Sequence, residues 1–463
     1  MTLIKSISGI RGTLGGEQGK GLTPLDVVKF TASYAGWLRS SCGKQKPVVA
    51  VGRDARTSGE MVDHLVVGTL MGCGVDVIEL GQATTPTVEL AVIHFKAEGG
   101  LILTASHNPA QWNALKLLNS KGEFLSDSDG KQVLSIAESG KLPFVEVHEL
   151  GKVIRSESFT EKHIDMVLAL PLVDVNAIKA ARFKVVVDAV NSIGGVAIPT
   201  LLRRMGVEVV ELYCEPNGNF PHNPEPLPEN LTAISVEVVK QKAQLGVVVD
   251  PDVDRLALVC EDGTMFGEEY TLVAVADYVL SKVKGNTASN LSSSQALRDV
   301  TQNRGGNYFA AAVGEVNVVE VMKKHSAVIG GEGNGGVIYP ELHYGRDALV
   351  GVALFLTHLA QKHLPASELR SSYPEYYMSK NKIQLPEGFD VDGLLVKVKQ
   401  HFSSEKVTDI DGVKVDFGHE WVHMRKSNTE PIIRIYSESI STDKATSLAL
   451  DAIEVIKKLA GLL

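Results

Sequence analysis

Short apolar runs alternate with amphipathic stretches along most of the chain. Residues 47–51 form an apolar run that reads as a buried strand, 59–72 carry helical spacing, and 75–80 form a second apolar run. This order predicts a βαβ unit. The pattern recurs, with a strand expected at 183–188, a helix at 196–205 and a strand at 207–212. The second strands are nearly one word, GVDVIEL at 74–80 and GVEVVEL at 206–212, a modest sign of at least two α/β domains of related design.

Breaks in the pattern suggest linkers. Residues 140–150 mix Gly, Pro and charge, 156–162 are polar, and 214–230 are dense in Pro, Asn and Gly. A third unit opens after Glu261, and the pattern changes again near 369–386. Beyond it a long helix is expected at 391–402, strands at 414–417, 420–424 and 432–437, and a final helix at 443–463 capped by Thr442. Strands grouped first and a helix last suggest an α+β domain.

Bulk properties narrow the class. At 463 residues the chain exceeds what one hydrophobic core supports, so several domains are expected. With 44% hydrophobic and 22% charged residues it reads as an ordinary globular protein. A net charge of −9 gives no global attraction for nucleic acid or anionic membrane, so an anionic substrate would need locally gathered positive charge. Four cysteines lack metal-ligand spacing and read as free thiols in a reducing cytosol. The first residues are too interrupted for a signal peptide, and no apolar run reaches the roughly 18 residues of a membrane span, so a cytoplasmic location is expected.

Four places could carry chemistry. Thr104-Ala105-Ser106-His107-Asn108-Pro109 follows an apolar strand at 101–103, and Pro109 keeps Asn108 out of a helix. Ser106 and His107 thus lie on a turn beyond a strand end, where α/β sheets present reactive groups. A serine there can take and give a phosphoryl group, with His107 and Lys116 supplying a proton shuttle and charge. Alone, these residues read as an ordinary Ser/Asn turn.

Asp250-Pro251-Asp252-Val253-Asp254-Arg255 follows the strand 246–249. Alternate residues of an extended segment point one way, so three carboxylates converge, and a hard divalent cation such as Mg²⁺ would relieve their repulsion. Glu261 falls where an EF-hand loop ends, but Arg255 stands where that loop needs Gly, and strands rather than helices flank it. The alternative is a solvated acidic turn. The third place, GGEGNGG at 330–336, frees the backbone to approach a ligand, with Glu332 and Asn334 facing sugar hydroxyls; a glycine hinge would look the same. The fourth is RKSNTEP at 425–431 with Arg434 beyond, a phosphate cradle or an exposed hairpin with scattered cations.

These pieces occur together and in order. With GIRG at 9–12 and the loop GNFPHNPEPLPENL at 218–231, the chain resembles the α-D-phosphohexomutase family, which includes phosphoglucomutase, phosphomannomutase and phosphoglucosamine mutase. The resemblance spans essentially the whole chain. It implies an α/β protein of three related α/β domains with mixed sheets plus a C-terminal α+β domain, around a central cleft. Here these are expected at 1–155, 156–260, 261–372 and 373–463. It further implies that Ser106 is the phosphoserine and that Asp250, Asp252 and Asp254, with a Ser106 phosphate oxygen, hold one Mg²⁺. Arg11, His107, Lys116 and Arg255 would line the reacting phosphoryl group, and Glu332 and Asn334 would hold sugar hydroxyls. Arg425, Ser427, Asn428 and Thr429 would bind the distal phosphate, with Arg434 beside them. A hexose 1,6-bisphosphate would be the intermediate.

Two departures matter. Several members carry His where this chain has Gly336, so proton transfer falls to Lys116 or His107, and Asn334 stands where Ser is common. The TEP ending at 429–431 resembles phosphoglucosamine mutases, and the loops GEGNGG at 331–336 and PEPLPENL at 224–231 resemble a branch of phosphoglucosamine mutases or phosphomannomutases, which implies glucosamine phosphate first and mannose or glucose phosphate second. A non-catalytic phosphosugar-binding protein and a metal-dependent phosphatase are the rival classes. Expected partners are a phosphosugar but neither nucleic acid nor membrane, with the chain a monomer or homodimer.

Overall fold

The computed structural model describes residues 2–6, 9–156, 158–386, 388–427 and 432–462. The chain divides into two compact units, one formed by Met1–Lys282 with Asn334–Arg370, the other by Val283–Gly333 with Ser371–Leu463.

The first unit contains two α/β layers. Its N-terminal sheet has seven strands in the order Ile4–Ser6, Gly9–Thr13, Trp112–Leu118, Gly99–Leu103, Val48–Arg53, Asp76–Gln82, Val153–Arg155. The strands from Gly99–Leu103 to Val153–Arg155 run parallel, while Trp112–Leu118 is antiparallel to both neighbours. Gly99–Leu103 is buried along its whole length, so its end delivers the next residues into the interior of the unit. The helices Pro24–Cys42 and Gly59–Gly72 share one core with this sheet, built on Phe30, Tyr34, Leu38, Val66 and Leu70. Thr23 caps the first of them in a reciprocal box with Asp26.

The second layer is a four-stranded sheet ordered Leu256–Cys260, Leu245–Val249, Lys184–Asp188, Glu208–Leu212. Only its first pair is antiparallel. The two near-identical words occupy equivalent places. Asp76–Gln82 pairs parallel with Val48–Arg53, as Glu208–Leu212 does with Lys184–Asp188. Each is preceded by a glycine at positive φ, Gly74 at 74° and Gly206 at 75°, which turns the chain out of the helix before it. The polar stretch 156–162, expected as a linker, instead enters the helix Phe159–Leu168. This helix buries Phe159, His163, Ile164 and Val167, so its polar residues are one face of an amphipathic element.

In the second unit Tyr308–Ala311, Asn286–Asn290 and Ala327–Glu332 lie side by side in parallel. The C-terminal region is a five-stranded antiparallel sheet ordered Tyr377–Gln384, Ile432–Ser439, Trp421–Lys426, Val413–Asp416, Lys406–Thr408. The helices Val391–His401 and Thr442–Ala460 pack their apolar sides on it through Leu394, Val398, Ala449 and Ile456. This is the expected α+β arrangement, with two strands added. The strand Tyr377–Gln384 alternates Lys, Asn and Gln with few apolar residues, which hid it from the pattern. The last helix is capped by Ser441, whose hydroxyl accepts from Lys444 N, and not by Thr442.

Candidate active site

Strand Gly99–Leu103 delivers Thr104, Ala105 and Ser106 as a buried turn. Ser106 adopts φ 49°, a left-handed conformation that costs a non-glycine residue roughly 1 kcal/mol or more and must be held from outside. Its N–H donates to Thr104 Oγ1 at 2.9 Å, and Thr104 Oγ1 donates to Asp54 Oδ2 at 2.7 Å. On the other side the fully buried Arg56 donates to the carbonyls of Ser106, Asn108 (2.8 Å), Pro109 (2.8 Å) and Trp112 (3.1 Å). Asp54 Oδ2 accepts from Arg56 Nε at 2.9 Å, so one ion pair anchors the clamp. Burial raises the Asp54 carboxyl, and Arg56 opposes that shift.

Held this way, Ser106 Oγ donates to Asp250 Oδ2 at 2.7 Å and lies 3.4 Å from His107 Nδ1. Asp250 follows the buried strand Leu245–Val249, and Asp252 and Asp254 follow in turn, with Val253 at φ 65°. The three carboxylates are fully buried, which excludes a solvated turn, and one oxygen from each lies within 4.8 Å of the others.

Cations and a hydroxyl occupy some of these oxygens and leave others open. Asp252 Oδ2 accepts from Thr85 Oγ1 and from Lys116 Nζ, both at 2.6 Å. Asp254 Oδ2 accepts from Arg346 Nη2 at 2.6 Å and lies 3.5 Å from Lys116 Nζ. Asp252 Oδ1 and Asp254 Oδ1 are buried with no hydrogen-bond partner. Orphaned buried carboxylate oxygens are costly unless a cation takes them. An all-oxygen set of this kind suits a hard divalent ion, so the residues present fit a metal.

Protonation follows from this crowding. Burial, then Asp254 and Asp252, push the Asp250 carboxyl well above its ordinary value. Burial would raise Asp252 as well, but Lys116 more than offsets it and holds that carboxyl low. Burial pulls Lys116 down, yet Asp252 and Asp254 win and keep it charged. Burial, with Arg255 and Arg11 close by, drives His107 well below its usual value, so its imidazole is neutral. Arg11, on the strand Gly9–Thr13, feels Arg255, Asp252, Asp254 and Arg346. Arg255 Nε lies 3.9 Å from Asp254 Oδ1. The first unit thus brings together Arg11, Ser106, His107, Lys116, Asp250, Asp252, Asp254 and Arg255.

Asn334 also lies in this unit, with Oδ1 accepting from Gly336 N at 3.3 Å. A side chain on the next residue, Gly335 at φ 83°, would strike the Leu256 carbonyl. The glycines here serve close packing as well as ligand approach.

In the second unit Glu332 is buried, and its Oε1 accepts from Asn290 Nδ2 (2.9 Å) and Gly314 N (3.2 Å). Arg425 and Arg434 are direct partners across the antiparallel strands, and Arg425 Nη1 lies 3.9 Å from Asp411 Oδ2. Burial lowers the Arg425 guanidinium most, Asp411 opposes it, and the nearby Arg434 adds to the lowering. Ser427 is buried, its N–H donating to Ile432 O at 3.0 Å. Asn428 and Thr429 lie outside the described residues.

The sequence reading missed Arg56, Thr85 and Arg346. Arg56 sits in a dense polar word, GRDARTSG at 52–59, directly after a strand, and that was its available signal. Thr85 and Arg346 have no local signature.

Residues 3–143, 161–263 and 267–377 match the phosphoglucomutase/phosphomannomutase alpha/beta/alpha domains I, II and III, and 382–455 match the C-terminal domain of the same family. The chain is 36% identical over 442 residues to a phosphoglucomutase/phosphomannomutase of Thermococcus kodakarensis, covering 94% of each protein. It is 31% identical over 454 residues to a probable phosphoglucosamine mutase of Methanopyrus kandleri, covering 97% of each. A solved phosphoglucomutase/phosphomannomutase family protein from Burkholderia thailandensis superposes with a TM-score of 0.84 at 25% identity, covering 98% of each chain. Matched over nearly its whole length, this chain belongs to the phosphoglucomutase/phosphomannomutase family and is a phosphohexomutase.

Proposed function

We propose that the chain converts glucosamine 6-phosphate to glucosamine 1-phosphate through a phosphorylated Ser106 and a bound hexose 1,6-bisphosphate. The observation that carries this reading is the Ser106 hydroxyl bonded to Asp250 beside two carboxylates with open oxygens. Asp250, Asp252, Asp254 and a phosphate oxygen on Ser106 would hold Mg²⁺, one per chain. Bound there, the ion would neutralise charge on the transferring phosphoryl group.

The chain's own residues do the rest. Arg56 and Thr104 hold the Ser106 peptide rigid, so the phosphoryl donor stays in line with its acceptor. Arg11, Lys116 and Arg255 add positive charge. The hydroxyl of the hexose monophosphate attacks phosphorus and gives its proton to a base, Lys116 or His107, while the bond to Ser106 Oγ breaks and the serine oxygen takes a proton back. His107, neutral and 3.4 Å from Ser106 Oγ, is placed to exchange a proton with the serine oxygen and so to take the Ser106 proton when transfer runs in reverse, whereas Lys116 is held protonated by two aspartates. The bisphosphate then presents its other phosphate to Ser106, and transfer runs in reverse. Glu332 and Asn334 would take sugar hydroxyls, and Arg425, Ser427, Asn428, Thr429 and Arg434 the distal phosphate. The domain limits that accompany this reading are 1–155, 156–260, 261–372 and 373–463.

Glucosamine is supported by relatives named probable phosphoglucosamine mutase, such as that of Methanopyrus kandleri. A second reading, glucose or mannose phosphate, is favoured by the 36% identity to the Thermococcus kodakarensis phosphoglucomutase/phosphomannomutase. Coupled assays on glucosamine 6-, mannose 6- and glucose 6-phosphate, with Mg²⁺ and a trace of hexose 1,6-bisphosphate, decide between them. Dominant turnover of glucose or mannose phosphate overturns the first. Free phosphate without isomer formation would mean a phosphatase.

A further inference from the structure

We propose that Arg346 is a positioning residue of the phosphoryl site, seated in space that only a glycine at 336 leaves open. The proposal rests on the mutase reading for its kinetic part and on geometry alone for its packing part.

Gly336 does not adopt positive φ, so its φ does not demand glycine. Space demands it instead. A Cβ at 336 would collide with Arg346 Cδ and lie 3.1 Å from Arg346 Cγ. The arginine stem therefore fills the volume a side chain at 336 would take. Backbone bonds fix the stem there. Arg346 bridges Ile338 in antiparallel fashion, Asp347 N donates to Val337 O at 2.8 Å, and Ala348 N donates to Val253 O at 3.2 Å.

From that seat Arg346 Nη2 donates to Asp254 Oδ2 at 2.6 Å, while Lys116 Nζ holds Asp252 Oδ2 at the same distance. Lys116 also reaches Asp254 Oδ2, at a longer 3.5 Å, so the short bond to that oxygen is Arg346's, and the Oδ1 of each carboxylate is left without a hydrogen-bond partner. Arg346 thus sets which oxygen Asp254 offers to an incoming cation. Its charge also reaches Arg11, His107 and Lys116. A guanidinium stays charged at any working pH, so Arg346 orients and neutralises but carries no proton.

Two measurements test this. The first is a thermal double-mutant cycle on the intact chain without substrate. Gly336→Ala should lower Tm by about 2–6 °C in the wild-type background, as overpacking does, and by less than about 1 °C in Arg346→Ala, where the space is vacant. Equal losses in both backgrounds, or none in either, overturn the shared volume. The second is kinetic. Arg346→Gln keeps the stem to Cδ without the guanidinium and should cut kcat about tenfold or more with KM within about threefold, and Arg346→Lys should recover part of that loss. Wild-type kcat in Arg346→Gln, or equal kcat in the Gln and Lys variants, overturns the positioning role. If Arg346→Ala does not fold, the Gln and Lys variants still decide. A wild-type chain that isomerises no hexose phosphate sinks the mutase reading instead, and the thermal cycle then still tests the packing.

Discussion

The hydroxyl of Ser106 donates a 2.7 Å hydrogen bond to Asp250 Oδ2 across 144 residues of chain. That bond joins the turn after one parallel strand to the turn after another, at the strand ends where open α/β sheets place ligands. Ser106→Ala should abolish phosphoryl gain from a sugar bisphosphate, read by intact mass, and with it all turnover. The lost bond should cost only on the order of 1 kcal/mol of stability, so the variant should stay folded. Retained turnover would remove Ser106 from the mechanism.

Divalent ion should stabilise the protein as well as activate it. Asp250, Asp252 and Asp254 repel one another in a buried site, so Mg²⁺ binding to the native state raises its stability by mass action. At a concentration about 100 times Kd the gain is roughly 2.7 kcal/mol, visible as a higher Tm in calorimetry. A chelator should reverse it. Asp252→Asn should lose most of the gain.

The Arg56 clamp should be costly to break. Arg56→Ala leaves Asp54 buried without its cation and frees four carbonyls between Ser106 and Trp112. A loss of about 3–5 kcal/mol is expected, measured as a lower urea midpoint. Arg56→Lys keeps the charge but not the fork, and should fold better while phosphorylating Ser106 poorly.

An alkaline loss of stability should trace to His343. Burial lowers its imidazole, but Asp347 and Glu89 outweigh that and raise it to about 10. The folded value lies above the unfolded value of about 6.5, so the contribution is complete below pH about 6.5. It is lost as pH rises through about 10, and amounts to a few kcal/mol in order of magnitude. Urea midpoints should fall over that range in the wild type, and much less in His343→Gln.

Much of this was legible in the sequence for physical reasons. A buried parallel strand is a short apolar run, and a reactive turn at its end must be small and polar, so the runs before Ser106 and Asp250 announced both turns. The repeated word at 74–80 and 206–212 marked two strands in equivalent sheet positions because helix exit and strand entry need the same Gly-Val step. What stayed hidden depends on contacts between distant segments. Arg346 matters through Asp254, 92 residues away, and Thr85 through Asp252, 167 residues away. The stretch 156–162 looked like a linker because it is mostly polar, while the apolar face of the helix Phe159–Leu168 lies largely beyond it and includes a buried histidine, His163, whose partners Thr87 and Asp347 come from elsewhere in the chain.

That histidine leads to a different kind of consequence. Asp347 is wholly buried and spends both oxygens. Oδ1 accepts from Leu349 N and Val350 N at the head of the helix Ala348–Lys362, and Oδ2 meets His163 at 2.9 Å and His343 at 3.3 Å. Glu89 closes the group from the far side of His343, at 3.3 Å. Four side chains from scattered parts of the chain therefore share one charge balance. None can drift alone without stranding a buried charge, so over evolutionary time these positions should change as a set or stay as they are.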